Sequence, residues 1–363
     1  MNTQTITVSL HQRSYPVWIG VDLLSDHARW RAALRGRHVL VVSNTTVAPL
    51  YLERVTQGLH GLHWATFLLE DGEPHKTFAN VGRVLDALAT LGATRDACVL
   101  ALGGGVVGDL AGFSAACWMR GIEFLQMPTT LLAMVDASVG GKTGVNLPAG
   151  KNLAGAFHQP RAVVADIGTL DTLPDREYRA GLAEVVKAAS IGDRAFFTWL
   201  EDHVEEIMAR ERQVVMEMIA RCVHFKADLV QLDETEQGSR ALLNFGHTFG
   251  HALETADQFR SLLHGEAVAI GMVLAAQLSE HLGMSTPVAR ERLLRLLQKF
   301  SLPVATPSGS DPRTLLDLMH LDKKNSADSL RMILWRGIGR VEIVSDVSEP
   351  SVLGTLERAT AAT

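Results

Sequence analysis

The chain has 363 residues, 47% of them hydrophobic and 20% charged; these are the proportions of a folded globular protein, and the length sets a prior of two domains. A formal net charge of −6, with no long basic run, speaks against a nucleic-acid partner, because little is available to neutralise a polynucleotide backbone. The opening MNTQTITVSLHQRSYPVWIG lacks the pattern of a signal peptide, and the apolar stretch Cys98 to Met119 is interrupted by Asp109 and five glycines, so no membrane span is expected. Cys98, Cys117 and Cys222 form no close pair in sequence, which fits reduced thiols in the cytosol, each read as a small core residue.

The N-terminal segment reads as two strands with a turn near Gln12 to Ser14. Short β-branched runs then alternate with helical stretches: strand His38 to Ser43, helix Ala48 to His60, strand Trp64 to Leu69, helix Lys76 to Leu91, strand Ala97 to Leu102. That alternation predicts a parallel sheet with crossover helices, whose ligands sit beyond the carboxyl ends of the strands. Two turns there stand out. GGGVVGD, Gly103 to Asp109, follows a strand, opens a helix and satisfies GxGxxG through Gly103, Gly105 and Gly108, so a pyrophosphate can approach the backbone at a helix N-terminus. The same glycines would equally serve a tight turn without a ligand; the strand is not the sheet's first and no acid stands in the usual place, so this is not an ordinary Rossmann fingerprint. DGEPHK, Asp71 to Lys76, offers Asp71 or Glu73 to a ribose hydroxyl and Lys76 to a phosphate, or is a plain turn and helix start.

Met127 to Asn152 is dense in Thr, Asp, Gly, Lys and Asn and reads as a loop wrapping a polar ligand. Lys142 and Lys151 suit a phosphate while Asp136 and Asn152 suit hydroxyls; solvated lysines are the alternative. Arg161 to Asp166 is a last strand, and Pro174 marks a boundary before the helix Asp175 to Ile191. Helical periodicity continues through Phe196 to Val230, Ala241 to Ala256, His264 to Leu282 and Pro287 to Phe300, predicting a second, mostly helical domain. It closes with a hairpin turning at Arg336 to Gly339 and a short tail.

The densest chemistry lies between Asn244 and Glu266. His247 and His251 are four apart and share a helix face, and His264 returns after a break at Thr255 to Arg260. An HxxxH pair without the Glu of HExxH is a weak metal signal, and solvated or core histidines would look the same. In GLAEVVK, Glu184 and Lys187 stand three apart among apolar residues. An ion pair is the default there, but burial of both charges asks for a stronger reason, and a metal supplies one for Glu184. Glu184, His247 and His264 would make a two-histidine, one-carboxylate set with open positions, a catalytic zinc arrangement. LDKKN, Leu321 to Asn325, reads as a loop.

The segments DGE..K, GGGVVGD, RG at Arg120, PTTLL, VDASVGGKTGVN, GKN, GLAEV.K, RALLNFGHTFGHA and LHGEAV together resemble the 3-dehydroquinate synthases, sugar-phosphate cyclases of the shikimate pathway to chorismate and the aromatic amino acids. The resemblance runs over nearly the whole chain. It implies a Rossmann-like α/β parallel-sheet domain over 1–174, binding NAD, and a mostly α-helical domain over 175–363, binding metal and substrate. It further implies a cytoplasmic homodimer with one divalent metal, Zn2+ or alternatively Co2+. The substrate would be the seven-carbon keto acid DAHP, 3-deoxy-D-arabino-heptulosonate 7-phosphate. It would be converted to 3-dehydroquinate and phosphate by transient oxidation, phosphate elimination, re-reduction, ring opening and internal aldol closure.

Carried over residue by residue, the resemblance makes Glu184, His247 and His264 the metal ligands. It lays NAD against Asp71, Gly72, Glu73 and Lys76, against Gly105, Val106, Val107, Gly108 and Asp109, against Thr129 and Thr130, and against Thr169, Leu170, Asp171 and Thr172. Lys142 and Lys151 also line the cofactor region. Asp136, Lys142, Lys187 and Asn244 would hold substrate hydroxyls, Lys226 and Arg240 the carboxylate, and Asn152, His251 and Lys324 the phosphate, with Arg120 reaching it from a partner subunit. Departures from the family pattern fall at Ala188 and Ala189, and at Pro74 and His75. Two rivals remain: a related cyclase for a heptulose phosphate without a carboxylate, which has no need of both Lys226 and Arg240, and a metal-dependent polyol dehydrogenase, which has little use for Lys142, Lys187, Arg240 and Asn244.

Overall fold

Short Val-, Ile- and Leu-rich runs bounded by glycines and turns build the sheet that carries the first half of the site residues. The computed structural model describes residues 3–148, 150–257, 261–320 and 330–361, and Lys324 with the rest of LDKKN lies outside them. By internal contacts the chain divides into two compact units, Met1–Pro174 with Val215–Thr235, and Asp175–Val214 with Glu236–Thr363.

In the first unit, β1 (Gln4–Val8) and β2 (Tyr15–Gly20) form the antiparallel hairpin, followed by α1 (His27–Arg31), β3 (His38–Asn44), α2 (Ala48–Thr56), β4 (His63–Leu69) and α3 (Phe78–Thr90). Next come β5 (Cys98–Gly103), α4 (Gly105–Cys117), β6 (Glu123–Pro128), the small hairpin β7 (Lys142–Leu147) and β8 (Gly150–Phe157), and β9 (Ala162–Asp166). The seven-stranded sheet has the order β1-β2-β9-β6-β5-β3-β4 and is parallel from β2 onward. β5 and β9 are buried along their whole length, as strands covered on both faces are. Their continuous apolar runs, without period-two alternation, follow from that burial.

Two sequence expectations change here. Strand β6 went unrecognised, and Met127 to Asn152 is not one loop: it holds the end of β6, a π-helical turn at Ala133–Ala137 carrying Asp136, and the β7–β8 hairpin. Glycine explains why this text did not read as a sheet. A Cβ on Gly155 would lie 2.1 Å from the Thr143 carbonyl oxygen and one on Gly144 would lie 2.6 Å from that of Ala154, so small residues permit the close approach of the two strands. Cys98 and Cys222 are buried as expected, whereas Cys117, at the end of α4, is exposed.

The second unit contains α5 (Asp175–Gly192), α6 (Arg194–Asp202) and α7 (Val204–Met208). Then α8 (Arg212–Leu232) runs largely in the first unit, where Lys226 Nζ donates to Asp136 Oδ1 over 2.6 Å and Arg13 binds Glu234 in two bonds of 2.7 Å. The second unit continues with α9 (His247–Ala256), α10 (His264–His281), α11 (Pro287–Lys299), α12 (Pro312–His320), the hairpin β10 (Leu330–Gly337) and β11 (Arg340–Val347), and α13 (Glu349–Ala361). Helix α10 is apolar nearly all round and correspondingly buried. The expected single helix Ala241 to Ala256 is divided: a 3-10 turn spans Ser239–Asn244, and Gly246 at φ 80° starts α9 afresh at His247. The expected tail is helix α13, which buries Val352, Thr355 and Leu356, an i, i+3, i+4 stripe. Among the described residues no helix is long and apolar enough to cross a membrane.

Candidate active site

Three segments of the second unit bring Glu184, His247 and His264 together, with one donor atom from each lying within 4.8 Å of the others. Nε2 of His247 and Nε2 of His264 each stand 3.8 Å from Glu184 Oε1. Ligands bonded at about 2.0–2.2 Å to one tetrahedral ion sit only slightly closer together than that. The Glu184 side chain is 1% exposed, and neither of its oxygens accepts a hydrogen bond among the described residues, although Lys187 Nζ forms an ion pair with Oε2. A buried carboxylate with so few donors asks for a cation. Burial, then the Lys187 charge and the neighbouring histidines, push the His247 pKa well below the ordinary value, leaving the neutral imidazole that metals bind.

Glycines set this geometry. A Cβ on Gly265 would fall 1.9 Å from the Ala180 carbonyl oxygen, so the first turn of α10 lies directly on the backbone of α5 one turn before Glu184. A Cβ on Gly271 would fall 2.0 Å from the Gly246 oxygen, which presses α10 against the start of α9 just before His247. Arg176 of α5 reinforces the first contact with two 2.7 Å bonds to Glu266, whose carboxylate also accepts from Leu263 N–H at 2.9 Å. The His251 ring lies 5.3 Å from that of His247, centroid to centroid. Asn244 donates to Glu236 over 2.8 Å, and Arg240 is fully buried. Lys187 is 2% exposed. Sequence reading passed over Glu254, a buried acid of α9 beside His264; its signal was a carboxylate on the largely buried helix HALE, three residues after His251.

In the first unit, the residues expected at a dinucleotide gather beyond the carboxyl ends of β4, β5, β6 and β9, where parallel sheets take ligands. Gly104 caps α4 without a side-chain bond, so the first-turn N–H groups from Gly105 on face outward. Packing accounts for Gly103 and Gly108, whose Cβ atoms would meet Val107 at 2.7 Å and Gln126 at 2.5 Å, but Gly105 would make only an ordinary 3.4 Å contact with Ala137. Its missing side chain leaves room in front of the helix. Thr129 Oγ1 is buried without a hydrogen-bond partner among the described residues, and Thr130 follows it. Thr169, Leu170, Asp171 and Thr172 form a 3-10 turn after β9.

Other expected contacts are partly committed within the unit. Asp71 accepts from Asn44 at 2.6 Å and Thr46 at 3.0 Å, and Glu73 accepts from Asn146 at 2.7 Å. Lys76, 4% exposed, binds Asp109 at 2.5 Å and Asn152 at 2.6 Å. Burial works against its ammonium, but the charges of Asp109 and Glu73 outweigh it and raise the pKa above the ordinary 10.5. Lys142 and Asn152 are exposed and Lys151 is half-buried. Arg120 stands exposed in a turn where Met119, Arg120 and Gly121 all have positive φ, a strained presentation for the two non-glycine residues.

Models of the 3-dehydroquinate synthase N-terminal and C-terminal regions match residues 66–180 and 181–325. The 3-dehydroquinate synthase of Xylella fastidiosa (strain M12) is 54% identical over 347 residues, covering 93% of this chain and 94% of that protein. The chain belongs to the 3-dehydroquinate synthase family. Its activity is that of a 3-dehydroquinate synthase, a phosphate-eliminating cyclase of the lyase class. Two solved sugar cyclases share its fold. A 2-deoxy-scyllo-inosose synthase complexed with carbaglucose-6-phosphate, NAD+ and Co2+ superposes with a TM-score of 0.90 at 27% identity, over 98% of this chain and 100% of that one. The 2-epi-5-epi-valiolone synthase of Streptomyces hygroscopicus subsp. jinggangensis 5008, with NAD+ and Zn2+ bound, gives 0.87 at 32% identity, over 98% and 99%.

Proposed function

We propose that the chain carries out its cyclisation of DAHP with one divalent ion held by Glu184, His247 and His264 and with NAD bound at the carboxyl ends of the first unit's strands. The observation that carries this reading is the buried Glu184 carboxylate, whose Oε1 accepts no hydrogen bond among the described residues and stands 3.8 Å from two histidine Nε2 atoms. Zn2+ is the ion we favour, with Co2+ able to replace it; the two solved relatives with these ions bound support the choice. When bound, the ion would supply Lewis-acid polarisation of a substrate hydroxyl and NAD a hydride acceptor that returns what it takes.

The chain's own residues then bind, orient and discharge the substrate. Lys187 and Asn244, with Asp136 and Lys142, hold the hydroxyls. Lys226 carries the charge for the substrate carboxylate, and Arg240 offers it two parallel donors, which a lysine cannot reproduce. That pair favours the keto acid over a heptulose phosphate lacking a carboxylate. His251, Asn152 and Lys324 hold the phosphate, joined by Arg120 of the partner subunit in a cytoplasmic homodimer. Gripping the phosphate beside the carbon-bound proton lets the departing group serve as its own base. The glycine turn, Thr129, Thr130 and Thr169 to Thr172 would take the dinucleotide, with Asp71 to Lys76 and Lys151 along its edge. Stripping the protein with a chelator should abolish phosphate release from DAHP, and Zn2+ or Co2+ should restore it. Full turnover in metal-free protein would refute the metal reading.

A further inference from the structure

We infer that Glu254 is a positioning residue that orients His264 as a metal ligand. This rests on the assignment of Glu184, His247 and His264 proposed above. Both histidines turn Nε2 toward Glu184, so their Nδ1 atoms face away, and the two face different partners. His247 Nδ1 lies 3.2 Å from the Phe245 carbonyl oxygen. His264 Nδ1 lies 3.3 Å and 3.4 Å from the two oxygens of Glu254, at the long end of hydrogen bonding. A carbonyl can only accept, so His247 carries its proton on Nδ1 and has Nε2 free for a metal. Glu254 imposes the same tautomer on His264, but with a charged acceptor, which makes the ring a stronger donor to the ion.

The placement of Glu254 costs stability unless it serves something. It is 2% exposed, on a helix that also buries Phe249, Ala252 and Leu253, where an ionised carboxylate needs partners, and the His264 ring is one of them. The charges make the service specific. Glu184 is already paired with Lys187, and Glu254 is a second buried carboxylate placed behind a ligand, 3.3 Å from His264 Nδ1, where its charge would favour a divalent cation.

Glu254→Gln keeps the volume and the acceptor but removes the charge, and Glu254→Ala removes both. Metal-free wild type and variants would be titrated with Zn2+ against a chromophoric chelator, and with Co2+ to record the visible spectrum; thermal unfolding of the metal-free forms controls for folding. Zinc binding should weaken by about tenfold in Glu254→Gln and about a hundredfold in Glu254→Ala, with cobalt bands shifted in both. Variants that bind zinc as the wild type does, with unshifted cobalt bands, would overturn the role of Glu254 alone. A wild type that binds neither ion would overturn the metal reading beneath it. If Glu254→Ala does not fold, the comparison of Glu254→Gln with wild type decides.

Discussion

Gly265→Ala loads the metal cluster without touching a ligand. The new methyl would start 1.9 Å from the Ala180 oxygen and 2.5 Å from its carbonyl carbon. These are backbone atoms inside a helix, so no side chain can swing away. Reaching an ordinary 3.4 Å contact requires α5 and α10 to part by about 1.5 Å. Glu184 follows Ala180 by one turn and His264 adjoins Gly265, so the separation passes directly to two of three ligands, whose bonds to an ion tolerate only about 0.2 Å. Overpacking of this kind costs about 1–3 kcal/mol of stability, and a misplacement near 1 Å costs about a hundredfold in catalysis. Zinc affinity should fall at least tenfold, equivalent to about 1.4 kcal/mol. Urea unfolding of metal-free protein, chelator competition and phosphate release from DAHP read the three effects. Gly82→Ala is the control: its Cβ meets nothing within 4 Å inside α3, so it should gain roughly 0.5–1 kcal/mol. Wild-type zinc affinity and turnover in Gly265→Ala would refute the claim that backbone contact sets the ligand spacing.

Replacing both His247 and His264 by Ala should leave purified protein without its divalent ion, and metal retained at one per chain would contradict the ligand set. Lys76→Met should cost about 3–5 kcal/mol by leaving Asp109 unpaired. Because the Lys76 pKa is raised on folding, that difference should hold from neutral pH up to 10.5 and shrink as pH rises through the folded value; a difference that grew in alkali would reverse the assigned sign. Arg240→Lys should slow DAHP turnover by roughly one to two orders of magnitude, about 1.4–2.7 kcal/mol, with metal and NAD binding intact; normal kinetics would remove the carboxylate argument. Mixing inactive Arg120→Ala with inactive Lys187→Ala subunits should restore partial activity if Arg120 serves its partner's site, and no recovery would place Arg120 in its own.

The alternating strands and helices of residues 38–103 were legible because buried parallel strands read as apolar runs between turns. β6 was not, since Glu123 and Gln126 interrupt its short run, and β7 and β8 were hidden by the glycines that let them pack. Glu184, His247 and His264 could be grouped from residue type and burial logic alone, yet their distances depend on Gly265, Gly271 and Gly246, contacts that no spacing encodes. Glu254 escaped notice because a glutamate on a helix is ordinarily solvated. Lys226 and Asp136 were both expected at the substrate, but their mutual 2.6 Å bond joins residues ninety positions apart and is visible only once the fold is known.

The most direct test follows phosphate and NADH together while purified, metal-loaded protein turns over DAHP with catalytic NAD. Phosphate and 3-dehydroquinate should form in equal amounts with no net rise in NADH absorbance, since the hydride taken up is returned within each turnover. NADH accumulating in step with product, or no phosphate released, would contradict this.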